Sequence, residues 1–181
     1  VSDPDVTFEF SRRRVLLFGG ASAALLTAAY HGMRQVGFYE SDPLDVEVLT
    51  TKEIAVFRRI GAYVVPRNQW FPGHGGDDET LRRIDGLLAR LPKHKRGLLR
   101  ALPHVFEHGT GLDRVGARRA TALPEAKFTA YLDHWAEASE TDWVVRSQLW
   151  AGLMTLYGMT YWERPEVLDV IGAPILCSAR R

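Results

Sequence analysis

From Leu49 almost to the end of the chain, apolar residues recur at helical spacing, without the two-residue alternation of a half-buried strand. Ile54, Phe57, Gly61 and Val64 share one helix face. Leu81, Ile84, Leu88 and Leu91 form a second stripe, and Leu98, Leu99, Leu102 and Phe106 a third. Phe128, Tyr131, Leu132 and Trp135 make a fourth. The longest periodic stretch, Asp142 to Tyr161, carries Val145, Leu149, Leu153, Leu156 and Tyr157. Prolines punctuate these stripes. Pro66 and Pro92 end helices, Pro124 suits a first helical position, Pro165 opens a last short helix, and Gly172-Ala173-Pro174 closes it. Pro103 falls inside the third stripe, where it removes a backbone donor and predicts a kink. The pattern predicts an all-α fold: a compact orthogonal domain of five or six helices at residues 49–181, after an N-terminal signal helix.

The first helix of the domain has a sharp start. In Leu49-Thr50-Thr51-Lys52-Glu53, Thr50 caps the helix and Glu53 reaches back, the reciprocal capping box, with Leu49 and Ile54 at the two positions of a hydrophobic staple. Asp77, Asp78 and Glu79 put negative charge where the second helix begins. Between the two lies a loop with Trp70-Phe71-Pro72-Gly73 and two further glycines.

Ahead of the domain, Ser11-Arg12-Arg13-Arg14 stands directly before 16 uncharged residues, Val15 to Tyr30, that include Gly19, Gly20, Ala21, Ala23 and Ala24. A positive region followed by a short, mild apolar run is the layout of an export signal, and the Arg12-Arg13 pair is the mark of the twin-arginine route. Sixteen residues of helix rise about 24 Å, short of a hydrocarbon core of ~30 Å. Residues 1–30 are therefore read as a twin-arginine signal addressed to the periplasm. Thr27-Ala28-Ala29 offers small residues for cleavage, and an uncleaved signal would act as a membrane tether. Residues 31–48 read as a linker, with Pro43 and four acidic residues between Gly37 and Val48. A soluble chain with an ordinary buried N-terminal helix is the plainer alternative.

Charge and cysteine content narrow the chemistry. The net charge is +1, and removing residues 1–30 takes away three basic and three acidic residues and leaves it there. Such a balance gives no electrostatic reason to expect nucleic acid, and Arg118, Arg119, Lys93, Lys95 and Arg96 read as solvated faces. Cys177 is the only cysteine, so neither an internal disulfide nor a cysteine zinc cage is available. Stability has to come from packing.

His104-Val105-Phe106-Glu107-His108 matches the inverted zinc-peptidase pattern, which needs a third ligand and a roomy cleft for the activated water. Pro103 before it and Gly109 after it place the motif in an ending turn, where histidine also suits the helix dipole. The reading adopted is a helix-end surface. A secreted metal-dependent hydrolase using His104, Glu107 and His108 is the alternative. Gly73-His74-Gly75-Gly76 lacks the strand and the Lys-Ser/Thr of a phosphate-cradling loop, and His74 reads as a loop residue. Asp133 and His134 point to different faces and make no dyad. No Gly-x-Ser-x-Gly elbow and no Gly-x-Gly-x-x-Gly fingerprint occurs. No catalytic, cofactor-binding or metal residues are assigned.

Large aromatics exceed what a domain of this size hides easily. Trp135, Tyr157 and one of Trp143 or Trp150 suit the core. The Trp70-Phe71 loop and the Tyr161-Trp162 helix end are the candidates for partner contact.

Two regions carry a family resemblance. Leu49-Thr50-Thr51-Lys52-Glu53, Phe57-Arg58-Arg59-Ile60 and Val64-Val65-Pro66 resemble the opening of the gluconate 2-dehydrogenase subunit 3 (small, or gamma, subunit) family. Leu123-Pro124-Glu125-Ala126-Lys127, Tyr131-Leu132, Trp135, Leu149-Trp150-Ala151-Gly152-Leu153, Tyr161 to Val167 and Ile171-Gly172-Ala173-Pro174 are similar to the C-terminal half of those subunits. They are also similar to the helical region preceding the flavin domain of long-chain alcohol oxidases. The resemblance implies a non-catalytic small subunit that binds no cofactor itself. Its partner would be a catalytic subunit of the glucose-methanol-choline type, carrying FAD, oxidising an alcohol or sugar and passing electrons on, commonly to a c-type cytochrome. The small subunit would supply the signal for the twin-arginine translocase and help the partner mature. An assembly factor for an unrelated exported redox enzyme is the remaining alternative.

Overall fold

A computed structural model describes residues 39, 42–111, 119–137 and 144–172, and among these residues the fold is six α-helices with no strand. The chain divides between Gly37 and Phe38, and every described residue lies on the C-terminal side of that division. The twin-arginine segment with Arg12 and Arg13, together with Trp143, Arg118 and Cys177, lies outside the described residues.

Helix α1 (Thr51–Val64) begins as its sequence predicts. The Thr50 side chain accepts from the Glu53 amide while Glu53 Oε2 accepts from the Thr50 amide at 2.7 Å. It packs against α2 (Asp78–Arg90), α3 (Lys93–His108) and α5 (Val144–Tyr157), and so is the central rod of the domain. Helix α4 (Glu125–Ala136) covers α5. A single π-helical turn, Gly158–Trp162, continues α5 and packs on α2, and α6 (Pro165–Ile171) ends on Gly172 in the left-handed region (φ 65°). Phe57, Leu81, Ile84, Leu88, Phe106, Leu132, Leu153 and Tyr157 are fully buried in one core. Two buried phenols each find a backbone carbonyl: Tyr157 donates to Phe57 at 2.6 Å and Tyr131 to Phe106 at 2.7 Å. Both span large sequence separations and satisfy hydroxyls that burial would otherwise strand.

Several expectations need correction. Leu98 is 71% exposed, because the buried arc of α3 turns toward Leu102, Pro103, His104, Phe106 and Glu107 and leaves Leu98 outside. Val145 is also exposed; the inward position belongs to Arg146, whose guanidinium lies over the Trp135 ring at 5.2 Å. Arg96 and Arg119 do not sit on solvated faces. Arg96 Nη2 donates to the carbonyls of Ala89 (2.7 Å) and Leu91 (3.2 Å) and so caps the end of α2, and Arg119 stacks on Tyr39 at 4.7 Å. Pro103 lies inside α3, as its place in the third stripe predicts.

The described end of the stretch read as a linker, residues 42–48, is irregular but fastened down. Leu44, Val46 and Val48 pack against the core. The amides of Glu47, Val48 and Leu49 all donate to the Asp85 carboxylate at 2.8 Å. Asp85 lies on the apolar face of α2 among Leu81, Ile84 and Leu88, and a carboxylate at a core position is the sequence signal for this clamp. Asp85→Ala is expected to cost about 3 kcal/mol, since several charge-assisted bonds go at once and leave donors facing a buried site. Hydrogen exchange at the amides of Glu47, Val48 and Leu49 should then outpace exchange within α2. Unchanged rates there would mean that Leu44 and Val46 alone hold the segment.

Candidate partner-binding surface

The two aromatic loci picked out in the sequence meet in space. After α1 stops, Asn68 organises the loop: its Oδ1 accepts from the amides of Trp70 and Phe71, both at 2.9 Å, and its Nδ2 donates to the Pro66 carbonyl at 3.1 Å. This Asx-type turn throws Trp70 outward, where it is 70% exposed, and points Phe71 back toward the π-turn. Phe71 meets Trp162 edge-on at a ring separation of 5.3 Å, and Trp162 in turn meets Tyr161 at 5.2 Å. Trp162 is 40% exposed and Met159, one turn earlier, 47%. Phe71 and Trp162 thus make an aromatic contact at the surface, and Trp70 and Met159, near them in the chain, are exposed.

Tyr161 is a correction. It is fully buried, in a small second core with Val65 and Val167, and its hydroxyl donates to the Pro72 carbonyl at 3.3 Å. The wider π-turn places adjacent rings on opposite sides, Tyr161 inward and Trp162 outward. Tyr161 therefore positions the surface rather than belonging to it. Beneath it, buried Arg164 donates from Nη1 to Asp77 Oδ2 at 2.8 Å and lies over the Tyr161 ring at 5.5 Å. Asp77 also caps α2 through the Thr80 amide at 2.8 Å. Burial works against its charge, but these hydrogen bonds prevail and hold its carboxyl below the usual range. One ion pair therefore ties the start of α2 to the start of α6 directly under the aromatic contact.

Glycines bring the loop close. Gly73 adopts a positive φ of 71°, and Gly75 and Gly76 lie against the α1 backbone at Gly61 and Arg58 so tightly that no Cβ fits. His74 is indeed a loop residue: its Nδ1 accepts from the Gly76 amide at 3.1 Å. The glycine run serves close backbone packing.

The His104-x-x-Glu107-His108 motif is not the helix-end surface expected: His104 and Glu107 are buried, and the three side chains are divided among separate partners. His104 Nε2 lies 3.4 Å from Glu53 Oε1. Glu107 accepts from Tyr39 (2.8 Å) and from the amide and hydroxyl of Thr121 (2.9 and 2.6 Å). His108 Nε2 sits 3.0 Å from the Lys52 ammonium. Burial, reinforced by that ammonium, pushes His108 down to about 4, so its ring is neutral at pH 7 and accepts from Lys52. Among the described residues no group of three His, Cys, Asp or Glu side chains converges as ligands. Asp133, likewise, is used by the Tyr63 hydroxyl at 2.5 Å rather than by His134.

A broad open basin of about 970 Å³ has α1 as its floor, through Ala55, Arg58, Arg59 and Ala62, with Tyr39 and Arg119 on its walls. Its guanidinium groups are engaged within the fold. Arg58 pairs with Asp78 (2.6 Å) and Asp42 (3.4 Å). Arg59 donates to the carbonyls of Ala120, Thr121 and Leu123 and lies over the Phe128 ring at 4.2 Å.

Sequence reasoning missed Met159, and with it Met154, Val170 and Ile171, all exposed. The available signal was the absence of charge: Ser147 to Trp162 contains 16 residues and no Asp, Glu, Lys or Arg, in a chain that is 25% charged. No family profile, curated protein or solved structure matches this chain.

Proposed function

We propose that the chain is the non-catalytic small subunit of an exported FAD-dependent alcohol or sugar dehydrogenase. In this reading its N-terminal signal helix carries both chains through the twin-arginine translocase to the periplasm, where it remains bound to the catalytic subunit. Three features support the reading: Arg12-Arg13 ahead of a mild apolar run, the resemblance to the subunit 3 family, and the aromatic surface. The observation that carries it is the contact of Phe71 with Trp162 at the surface, with Trp70 exposed on the same loop, side chains of the kind that anchor protein interfaces. FAD belongs to the partner, and a c-type cytochrome takes its electrons.

Changing Arg12→Lys together with Arg13→Lys is expected to strand both this chain and its partner in the cytoplasm. Fractionation with FAD fluorescence as the readout checks it. A partner that still reaches the periplasm at its full level overturns the shared-export reading. The assembly-factor reading uses the same surface, and a co-purified partner without flavin would select it. For the metal-hydrolase alternative, stoichiometric zinc that disappears in His104→Ala would count in its favour.

A further inference from the structure

We infer that the outer face of α5, its π-turn and α6, extended by Trp70, is a docking surface for a folded protein with an uncharged, apolar contact area and basic residues beside it. The inference rests on the proposal that the chain works beside a partner, but not on that partner's flavin.

Between Ser147 and Trp162 the exposed positions are Gln148, Ala151, Met154, Thr155, Met159 and Trp162. At the chain's overall charge density, 16 residues would hold about four charges, and a solvated helix face would hold most of them. Here there are none. Val170 and Ile171 are likewise exposed, at the end of α6, and the Phe71–Trp162 contact brings the loop that carries exposed Trp70 up to the π-turn. Depletion of charge with enrichment in Trp and Met is the composition of an interface centre, and small, exposed Ala151 lets a partner approach the backbone.

The rim identifies the occupant. Glu163, Glu166 and Asp169 are exposed along α6 and its start, and the one cation between Gly158 and Gly172, Arg164, is buried against Asp77 and lies 3.8 Å from Glu166, so it offsets part of that charge only. An anionic membrane surface would be repelled by these carboxylates. A second copy of the chain, related by a two-fold axis at Trp162, would set like charges against each other. A different protein presenting Lys or Arg opposite the acidic rim meets both conditions.

The test is photo-crosslinking in cells that export the intact chain, with p-benzoylphenylalanine placed at Trp70, Met159 or Val170 and, as an exposed apolar control, at Leu98. The expected result is one and the same heterologous protein captured from the first three positions and not from Leu98, through a peptide flanked by Lys or Arg. The triple reversal Glu163→Lys, Glu166→Lys, Asp169→Lys should reduce that capture about tenfold, and Met159→Glu about thirtyfold, with near-UV circular dichroism unchanged in both. Adducts with a second copy or with lipid, equal capture from Leu98, or no effect of the reversal would overturn the inference. The two proposals fail separately. A captured protein without FAD sinks the flavoenzyme reading and leaves the surface standing. A flavoprotein captured only from Leu98 does the opposite.

Discussion

Glu53→Ala is expected to lower the unfolding midpoint of the domain by about 10 °C, a loss of about 3–5 kcal/mol. The carboxylate is fully buried and serves several donors at once. Its Oε2 takes the Thr50 amide at 2.7 Å and the Thr50 hydroxyl at 2.8 Å. Arg100 grips it as a fork, Nε to Oε1 at 2.9 Å and Nη2 to Oε2 at 2.7 Å, and His104 Nε2 adds a longer contact at 3.4 Å. Removing it takes the carboxylate from the Arg100 guanidinium, undoes the cap of the central helix and leaves the Thr50 amide without its acceptor. Each alone is costly, and together they act on the helix that most of the domain packs around. Glu53→Gln keeps the shape and one acceptor and should lose about half as much. Thermal melts of the two variants check this. Equal stability of Glu53→Ala and the parent chain would show that the network contributes nothing net.

The same residue sets the acid limit. Burial opposes the charge of Glu53, but the hydrogen bonds from His104, Arg100 and the Thr50 backbone outweigh it and bring the group down from 4.5 to about 2. A carboxylate depressed in the fold stabilises fully above its unfolded value. That stability disappears as pH falls from about 4.5 through about 2. His108 acts in a different window. Its folded value of about 4 lies below the ordinary 6.5, so the unfolded chain binds the proton first, and stability declines as pH falls from 6.5 to 4. Acid unfolding should therefore show two stages. Glu53→Gln removes the lower one and His108→Gln the upper. A parent profile that is flat between pH 6.5 and 4 would contradict the His108 assignment.

Gly61→Ala should destabilise by about 3 kcal/mol, at or beyond the upper end for overpacking. The obstacle is the Gly75 carbonyl and the Gly76 amide, backbone atoms that cannot rotate aside as a side chain would. Either α1 or the 73–76 loop has to move, and movement of the loop carries Trp70 and Phe71 away from Trp162. Gly97→Ala, on α3, is the matched control. Nothing lies within 4 Å of its added Cβ, so the same change there should stabilise by up to about 1 kcal/mol through helix propensity. Denaturant midpoints moving in opposite directions for the two alanines are the expected result. A neutral Gly61→Ala would mean that the loop is not pressed against α1 in solution.

Tyr161 shows how far the site was legible beforehand. Both aromatic pairs were visible as a surplus, and Trp70 and Trp162 do reach the surface. Which ring of Tyr161-Trp162 faces inward depends on the π-turn and on the Pro72 carbonyl 89 residues away, and no local pattern encodes that. Leu98 and Val145 went the same way. Each fits a helical apolar stripe, but the buried arc was claimed by His104 and Glu107 in one helix and by Arg146 in the other, because the partners of those polar groups lie on other elements.

What the sequence determined by itself is the set of helices and their ends. Capping by Thr50 and Asp77, prolines at 66, 92 and 165, and a left-handed Gly172 all act within about one turn of the residue concerned, so their energetics are readable from neighbours alone. What only the tertiary structure decided is where polar groups find their partners. Asp85 holds an irregular segment nearly forty residues upstream, Glu53 holds Arg100 across 47 residues, and two loops about ninety residues apart build one aromatic surface. A buried charge or an exposed ring is settled by what the fold brings beside it, since desolvation must be balanced by contacts made far along the chain.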